Sequence, residues 1–343
     1  MPPTGARAKL QKSALAWGGA AMARRTGVHR CGDRWVTGAL RGCRASVLAA
    51  AAIIVTVASA RAQSETASDR NGAGAASEEQ VVVTAPQIDQ MVRSFVGEVS
   101  SAGQLDQLGR WDRRICPGVA GMRRQYAQAL IDRLAVIAFS VGLDVGEPGC
   151  SPNVLIFLTE DSDALAQELV RQHGDLVSNR NRHGNTRGRD ALRDFATTSR
   201  PVRWWHVTQS FTSDGFRVLP GEEVTVRSMG RLRRGTREDF DRVLIIIDAK
   251  RIDGIRFGAV ADYVAMAVLA QLNPNADTSA YSTILNLFSD QSSRPTTITE
   301  WDLSYLNGLY AATRDARNAD RQERDIARRM REQVEHPPAE APE

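Results

Sequence analysis

The chain has 343 residues, with 44 Lys and Arg against 40 Asp and Glu and a formal net charge of +4. That excess comes from the first 62 residues, which hold ten of the bases and one acid; the remainder carries 34 bases and 39 acids, a net of −5. The basic total is therefore a property of one terminal segment and no argument for nucleic-acid binding, which is not expected here.

In that segment Arg41 and Arg44 precede an apolar stretch from Val47 to Ala58, followed by Ala60-Arg61-Ala62, a small-x-small cleavage pattern. The stretch is about a dozen residues, against roughly 20 needed to span a bilayer. It reads as the core of a signal peptide over residues 1–62, with the mature chain starting near Gln63 in the periplasm or outside the cell and carrying no transmembrane helix. The part before Arg41 is long for such a leader, so Met22 competes with Met1 as the start. Cys43 precedes the apolar run, where a lipidated cysteine would follow it.

Cys31 and Cys43 leave with the leader. Cys116 and Cys150 remain, an even pair in an oxidising compartment, and are expected to form a disulfide. A metal pair is the competing reading, but neither a CxxC nor a neighbouring histidine supports it. No metal or other cofactor is expected.

Residues 63–86 read as a linker rich in Ser, Ala, Gly and Glu up to Gln80, then a strand-like run Val81-Val82-Val83-Thr84-Ala85 stopped by Pro86. The run resembles the energy-coupling box of TonB-dependent receptors, but the mature chain is too short for a receptor, and an ordinary edge strand is the simpler reading. Residues 87–312 follow as one globular α/β (α+β) domain with a mixed sheet. Helical spacing (Ile88, Met91, Val92, Phe95, Val99) predicts a helix over 88–99. Arg110 to Pro117 reads as strand and turn. Gln125 to Val141 reads as a helix with Ala129, Leu130, Leu134, Ile137 and Ala138 on one face, inside the disulfide loop. Strands are expected at 154–158, 202–208, 224–226 and 242–247. Further helices are expected at 163–173 and 258–272. Residues 178–193 read as a long exposed loop, and Arg231, Arg233, Arg234 and Arg237 as a basic turn. Thr299-Glu300-Trp301-Asp302 resembles a capping box. Residues 313–343 read as a helix charged all round, then a tail.

The segment 244–310 carries the most chemistry. A buried strand leads through Asp253-Gly254 into a helix containing Asp262, Tyr263 and Met266. Leu287-Phe288 and Asp302…Leu309-Tyr310 follow. This layout resembles the zincin superfamily of zinc peptidases, and more closely a family of exported proteobacterial proteins with a zincin-like active-site helix. The resemblance implies His-Glu-x-x-His on that helix, two imidazoles one turn apart with a glutamate that activates the metal-bound water. Here Asp262, Tyr263 and Met266 occupy those positions. Asp262 offers one oxygen ligand, Tyr263 cannot replace a carboxylate base at neutral pH, and a thioether is a poor zinc ligand. A plain core helix reads equally well, since Phe257, Val260, Val264, Val268 and Leu272 form an apolar stripe.

Elsewhere, alternation puts Trp204 and His206 on one face of a strand and Trp205 on the other, which suggests either a ligand-stacking pair or core packing. Arg180, Arg182, Arg187, Arg189 and Arg193 offer anion contacts or a solvated loop balanced by Asp190 and Asp194. Three functions follow. The first is an exported non-catalytic envelope or secreted protein that binds an envelope protein or anionic surface component through a degenerate zincin-like cleft. The second is a metal-dependent hydrolase with an unconventional centre at Asp262, Tyr263 and His206. The third is an anion-binding envelope module using the arginine loops.

Overall fold

The computed structural model describes residues 85–178, 185–219, 222, 233–289 and 294–335. The leader, the linker up to Thr84, the strand expected at 224–226, Arg180, Arg182, Arg231 and the tail beyond Glu335 lie outside them.

Helix α1 (Ala85–Val99) starts earlier than its spacing predicts. Pro86 sits in its first turn rather than stopping a strand, because proline there loses no intrahelical hydrogen bond. Val92, Phe95, Val96 and Val99 form the buried face. Strand β1 (Pro117–Ala120) lies beyond the expected 110–117 run. That run makes only isolated bridges, Arg110 to Asp239 and Ile115 to Val145. Proline can begin β1 because the strand is at the sheet edge. Helix α2 (Arg124–Ser140) buries Leu130, Leu134, Ile137 and Ala138, while Ala129 falls on the solvent side. A disulfide joins Cys116 to Cys150, with Cα atoms 6.0 Å apart, and encloses β1 and α2.

Strand β2 (Val154–Thr159) leads into helices α3 (Ser162–Gln172), α4 (Gly174–Ser178) and α5 (Arg189–Thr197). Helix α5 corrects the exposed-loop reading of residues 189–193. Its Arg- and Asp-rich text hides one apolar stripe: Ala191, Leu192 and Phe195 pack on the second core, and Ala196 is buried beside them in sequence.

Strands β3 (Val202–Thr212) and β4 (Thr236–Asp248) complete a mixed sheet of order β1-β2-β4-β3. The first three strands in that order run parallel, and β3 is antiparallel to β4. In β4 the run Val243-Leu244-Ile245-Ile246-Ile247 is fully buried, as expected of a central strand covered on both faces. Val243, Ile245 and Ile247 join one core with α1, α2 and α6; Leu244 and Ile246 join a second with α3 to α5. The result is an α/β domain of helix, sheet and helix layers.

Helix α6 (Phe257–Leu269) follows β4, and every side chain from Ala259 to Leu269 is buried. A 3₁₀ helix (Ile284–Phe288) packs on it. Thr299 and Asp302 form the expected capping box of helix α7 (Glu300–Ala311). The chain then breaks, and helix α8 (Ala319–Glu335) runs back against α7 and α1. So residues 319–335 belong to the globular domain and are not charged all round: Gln322, Ile326, Ala327 and Met330 are buried. Gly308 permits the contact, since a Cβ there would stand 3.0 Å from the Ile326 carbonyl oxygen. No helix among the described residues is long and apolar enough to cross a membrane.

Candidate functional site

The α6 segment is where sequence and structure meet most directly. Asp262 projects from α6 toward α2 with its side chain 2% exposed. Arg133 of α2 grips the carboxylate with Nε on Oδ1 and Nη2 on Oδ2, the latter at 2.9 Å. Oδ2 also accepts from the Thr297 hydroxyl at 2.8 Å and the Ile298 N–H at 2.7 Å. The hydrogen bond to Asp262 raises the Arg133 pKa further. Four donors, three of them on Oδ2, hold α2 and the loop before α7 onto α6.

Tyr263 lies edge-on to Trp204 and Phe288, with ring centroids 6.0 and 4.9 Å away. Burial pushes its hydroxyl well above the usual tyrosine range. Met266 has no exposed surface. Asn286 accepts from the Thr278 hydroxyl at 2.7 Å and donates to the carbonyls of Thr278 and Tyr281. The Tyr310 hydroxyl donates to the Leu269 carbonyl at 2.6 Å, closing the C-terminal end of α6. Asp262, Asn286 and Tyr310 are thus each engaged within the protein.

His206, on β3, is 2% exposed. It stacks on Phe240 with centroids 5.0 Å apart, and its Nε2 lies 2.8 Å from the Ala267 carbonyl oxygen. A carbonyl only accepts, so Nε2 carries the proton. Asp262, Tyr263 and His206 are thus held by separate partners, toward α2, toward Trp204 and Phe288, and toward Phe240. The Trp204 indole donates to the Leu272 carbonyl and the Trp205 indole to the Val177 carbonyl, so both are packed and anchored.

Burial lowers the His206 pKa from 6.5 to about 4, and the Ala267 bond only partly opposes it. Between these values the unfolded chain binds a proton that the folded chain rejects. The stability due to neutral burial is therefore complete above pH 6.5 and is lost as pH falls toward 4, by about 3 kcal/mol in all. Urea midpoints of the wild type should fall across that window, and His206→Gln should flatten this part of the slope. Equal slopes for the two proteins would show that His206 does not cause it.

Of the loop arginines, Arg189 opens α5 and is exposed. Arg187 is half-buried; burial lowers its pKa, while Asp194 favours its charge and Arg200 opposes it. Arg187, Arg200 and Arg203 line one crevice with Asp194, Trp204 and Trp205, with room for about 10 Å³, one water. Arg200 pairs with Asp194 at 3.0 Å, and buried Arg203 pairs with Asp163. The sequence did not single out Arg200 and Arg203, because their partners lie on α3 and α5.

Three larger cavities also escaped the sequence reading. Two, of about 300 and 320 Å³, flank Asp112 and Arg113. The first is polar and the second more apolar, and ion pairs line both, Arg237 with Asp112 and Asp239, and Arg314 with Asp112. Burial lowers the nearby Arg110 pKa to about 10. The third, of about 340 Å³, is apolar and opens where β1, β2 and β4 end. Among the described residues no group of three or more His, Cys, Asp or Glu stands close enough to hold a metal ion. No protein-family model, curated protein or solved structure matches this chain.

Proposed function

We propose that this chain is an exported, non-catalytic binding protein of the periplasm or extracellular medium, on a scaffold that resembles a zincin whose active-site helix has become structural. The observation that carries the non-catalytic part is the engagement of Asp262 by Arg133, Thr297 and the Ile298 N–H. A carboxylate so engaged is committed to holding α2 and the loop before α7, and a zinc ion would have to compete with the Arg133 guanidinium for it. The burial of Tyr263 and Met266 beside it supports the same reading. The apolar leader supports export, and the Cys116–Cys150 bond fits an oxidising compartment.

Metal analysis of protein purified without chelators from Gln63 onward tests the proposal. The wild type should carry far less than one zinc per chain, and Asp262→Ala should not change that content. The same variant should unfold at lower urea, by about 2 kcal/mol, because it strands a partly exposed guanidinium, a hydroxyl and an N–H. One equivalent of zinc in the wild type, lost in Asp262→Ala, overturns the non-catalytic reading. Export is tested apart, by fractionating cells that express the whole chain with a C-terminal tag. Full-length protein confined to the cytoplasm would count against it.

A further inference from the structure

The apolar cavity at the carboxyl ends of the parallel strands is built by segments far apart in sequence. Leu158 near the end of β2 and Ile247 near the end of β4 lie at its sheet edge. Met122 and Tyr126 come from the connection out of β1 and the first turn of α2, and Phe257 and Val260 from the start of α6. The Tyr126 and Phe257 rings meet with centroids 5.4 Å apart. The crevice beyond the carboxyl ends of strands in an open α/β sheet is where such folds most often take ligands, because the strands stop there and the helices diverge.

Two features suggest that the opening is specified. Gly121 turns the chain out of β1 with φ of +80°, and a Cβ there would lie 2.0 Å from the Leu158 carbonyl oxygen. Only glycine lets this connection cross so close to β2 and leave the space beyond it open. The walls are apolar, and Arg123 is the one charged residue lining the cavity. Arg123 is exposed, and among the described residues its guanidinium has no hydrogen-bond or ion-pair partner.

The one charge in the cavity wall is therefore positive. Arg123 is the N-cap of α2 and Arg256 the N-cap of α6, and neither supplies a side-chain cap. Elsewhere α3 is capped by the Asp161 side chain and α7 by that of Thr299, while α5 begins at Gly188 without a side-chain cap. Arginine at both N-caps leaves helix N–H donors without a side-chain cap, and Arg123 places a cation in the wall of an apolar chamber. The complement is an anion carrying an apolar body. The volume, about 340 Å³, lies at the small end of ligand pockets, which run from about 300 to 1,000 Å³, and suits a medium rather than a long chain.

We propose that this cavity binds a medium-chain fatty acid, with the acyl chain against Met122, Leu158, Ile247 and Val260 and the carboxylate on Arg123. The site does not depend on α6 being a degenerate metal helix or on export, so it stands or falls separately from them.

The test is displacement of 11-(dansylamino)undecanoic acid from the whole purified chain by dodecanoate, with dodecanol as the uncharged control. One saturable site per chain is expected, with dodecanoate displacing the probe. Arg123→Glu should weaken dodecanoate about tenfold or more, the worth of a charge-assisted contact, and leave dodecanol unchanged. Met122→Trp should fill the chamber and weaken both ligands. Should Met122→Trp not fold, the exposed Arg123 still decides the question. Absence of a saturable site, wild-type binding by a folded Met122→Trp, or equal effects of Arg123→Glu on both ligands would overturn the proposal.

Discussion

Replacing both Cys116 and Cys150 by serine should lower the free energy of unfolding by about 4 kcal/mol, the chain-entropy value for a loop of this length. The bridge spans 34 positions and encloses β1 and α2. In the folded protein its ends are held together without it. The Cys116 carbonyl accepts from the N–H groups of Asn153 and Val154 at 3.0 and 3.1 Å, and the Cys116 N–H donates to the Asn153 side chain at 2.7 Å. The crosslink therefore acts mainly by restricting the unfolded chain. For a domain of this size the loss corresponds to a melting temperature lower by about 8 to 16 °C. A second signature follows from the same cause. A crosslinked unfolded chain exposes less surface, so the urea m-value should be smaller for the oxidised wild type than for the double variant. Wild type in a reducing agent should behave like the double variant. Coincident unfolding curves for oxidised and reduced wild type would show that the bond contributes nothing.

The parts of this fold legible in the sequence are those where burial alone writes the text. Residues 242–247 read as a buried strand, and 258–272 as a helix that in the structure runs from Phe257 to Leu269, because nearly every position there must be apolar. Residues 238–241 in the first half of β4 are also buried but mostly polar, and their text does not read as a strand. Glu238 sits inside by accepting from Thr208, Ser210 and Asn185, and Asp239 by pairing with Arg237. No local pattern encodes such pairings. The text of helix α8 misleads for a related reason. Its buried stripe includes Gln322, whose amide bonds both the N–H and the carbonyl of Leu108, 214 positions earlier. At the candidate site Asp262 stood out as a carboxylate on an apolar helix. Its meaning depended on Arg133 and Thr297, 129 and 35 positions away. The apolar cavity left no trace, since it arises only where three strands end together.

Asp302→Ala should be comparably damaging, at about 4 kcal/mol, although the residue touches no candidate ligand site. Its carboxylate has no exposed surface and collects the hydroxyl of Thr283, the N–H of Ile284, and both the N–H and hydroxyl of Thr299. Two structural jobs meet on one group. It closes the capping box of α7, which alone is worth about 0.5 to 2 kcal/mol. It also ties down the start of the 3₁₀ helix, where a buried hydroxyl and N–H would each cost about 1 to 3 kcal/mol if left unpaired. That helix sets Phe288 against Tyr263 and so covers one side of α6. Thr299→Ala separates the two jobs, since it removes the cap hydroxyl but leaves the tie to Thr283 and Ile284. It should cost about 1 kcal/mol. The difference between the two variants in urea unfolding then measures the tie. If Asp302→Ala proves no worse than Thr299→Ala, the 3₁₀ helix is held over α6 by its apolar contacts, and the carboxylate serves only as a cap.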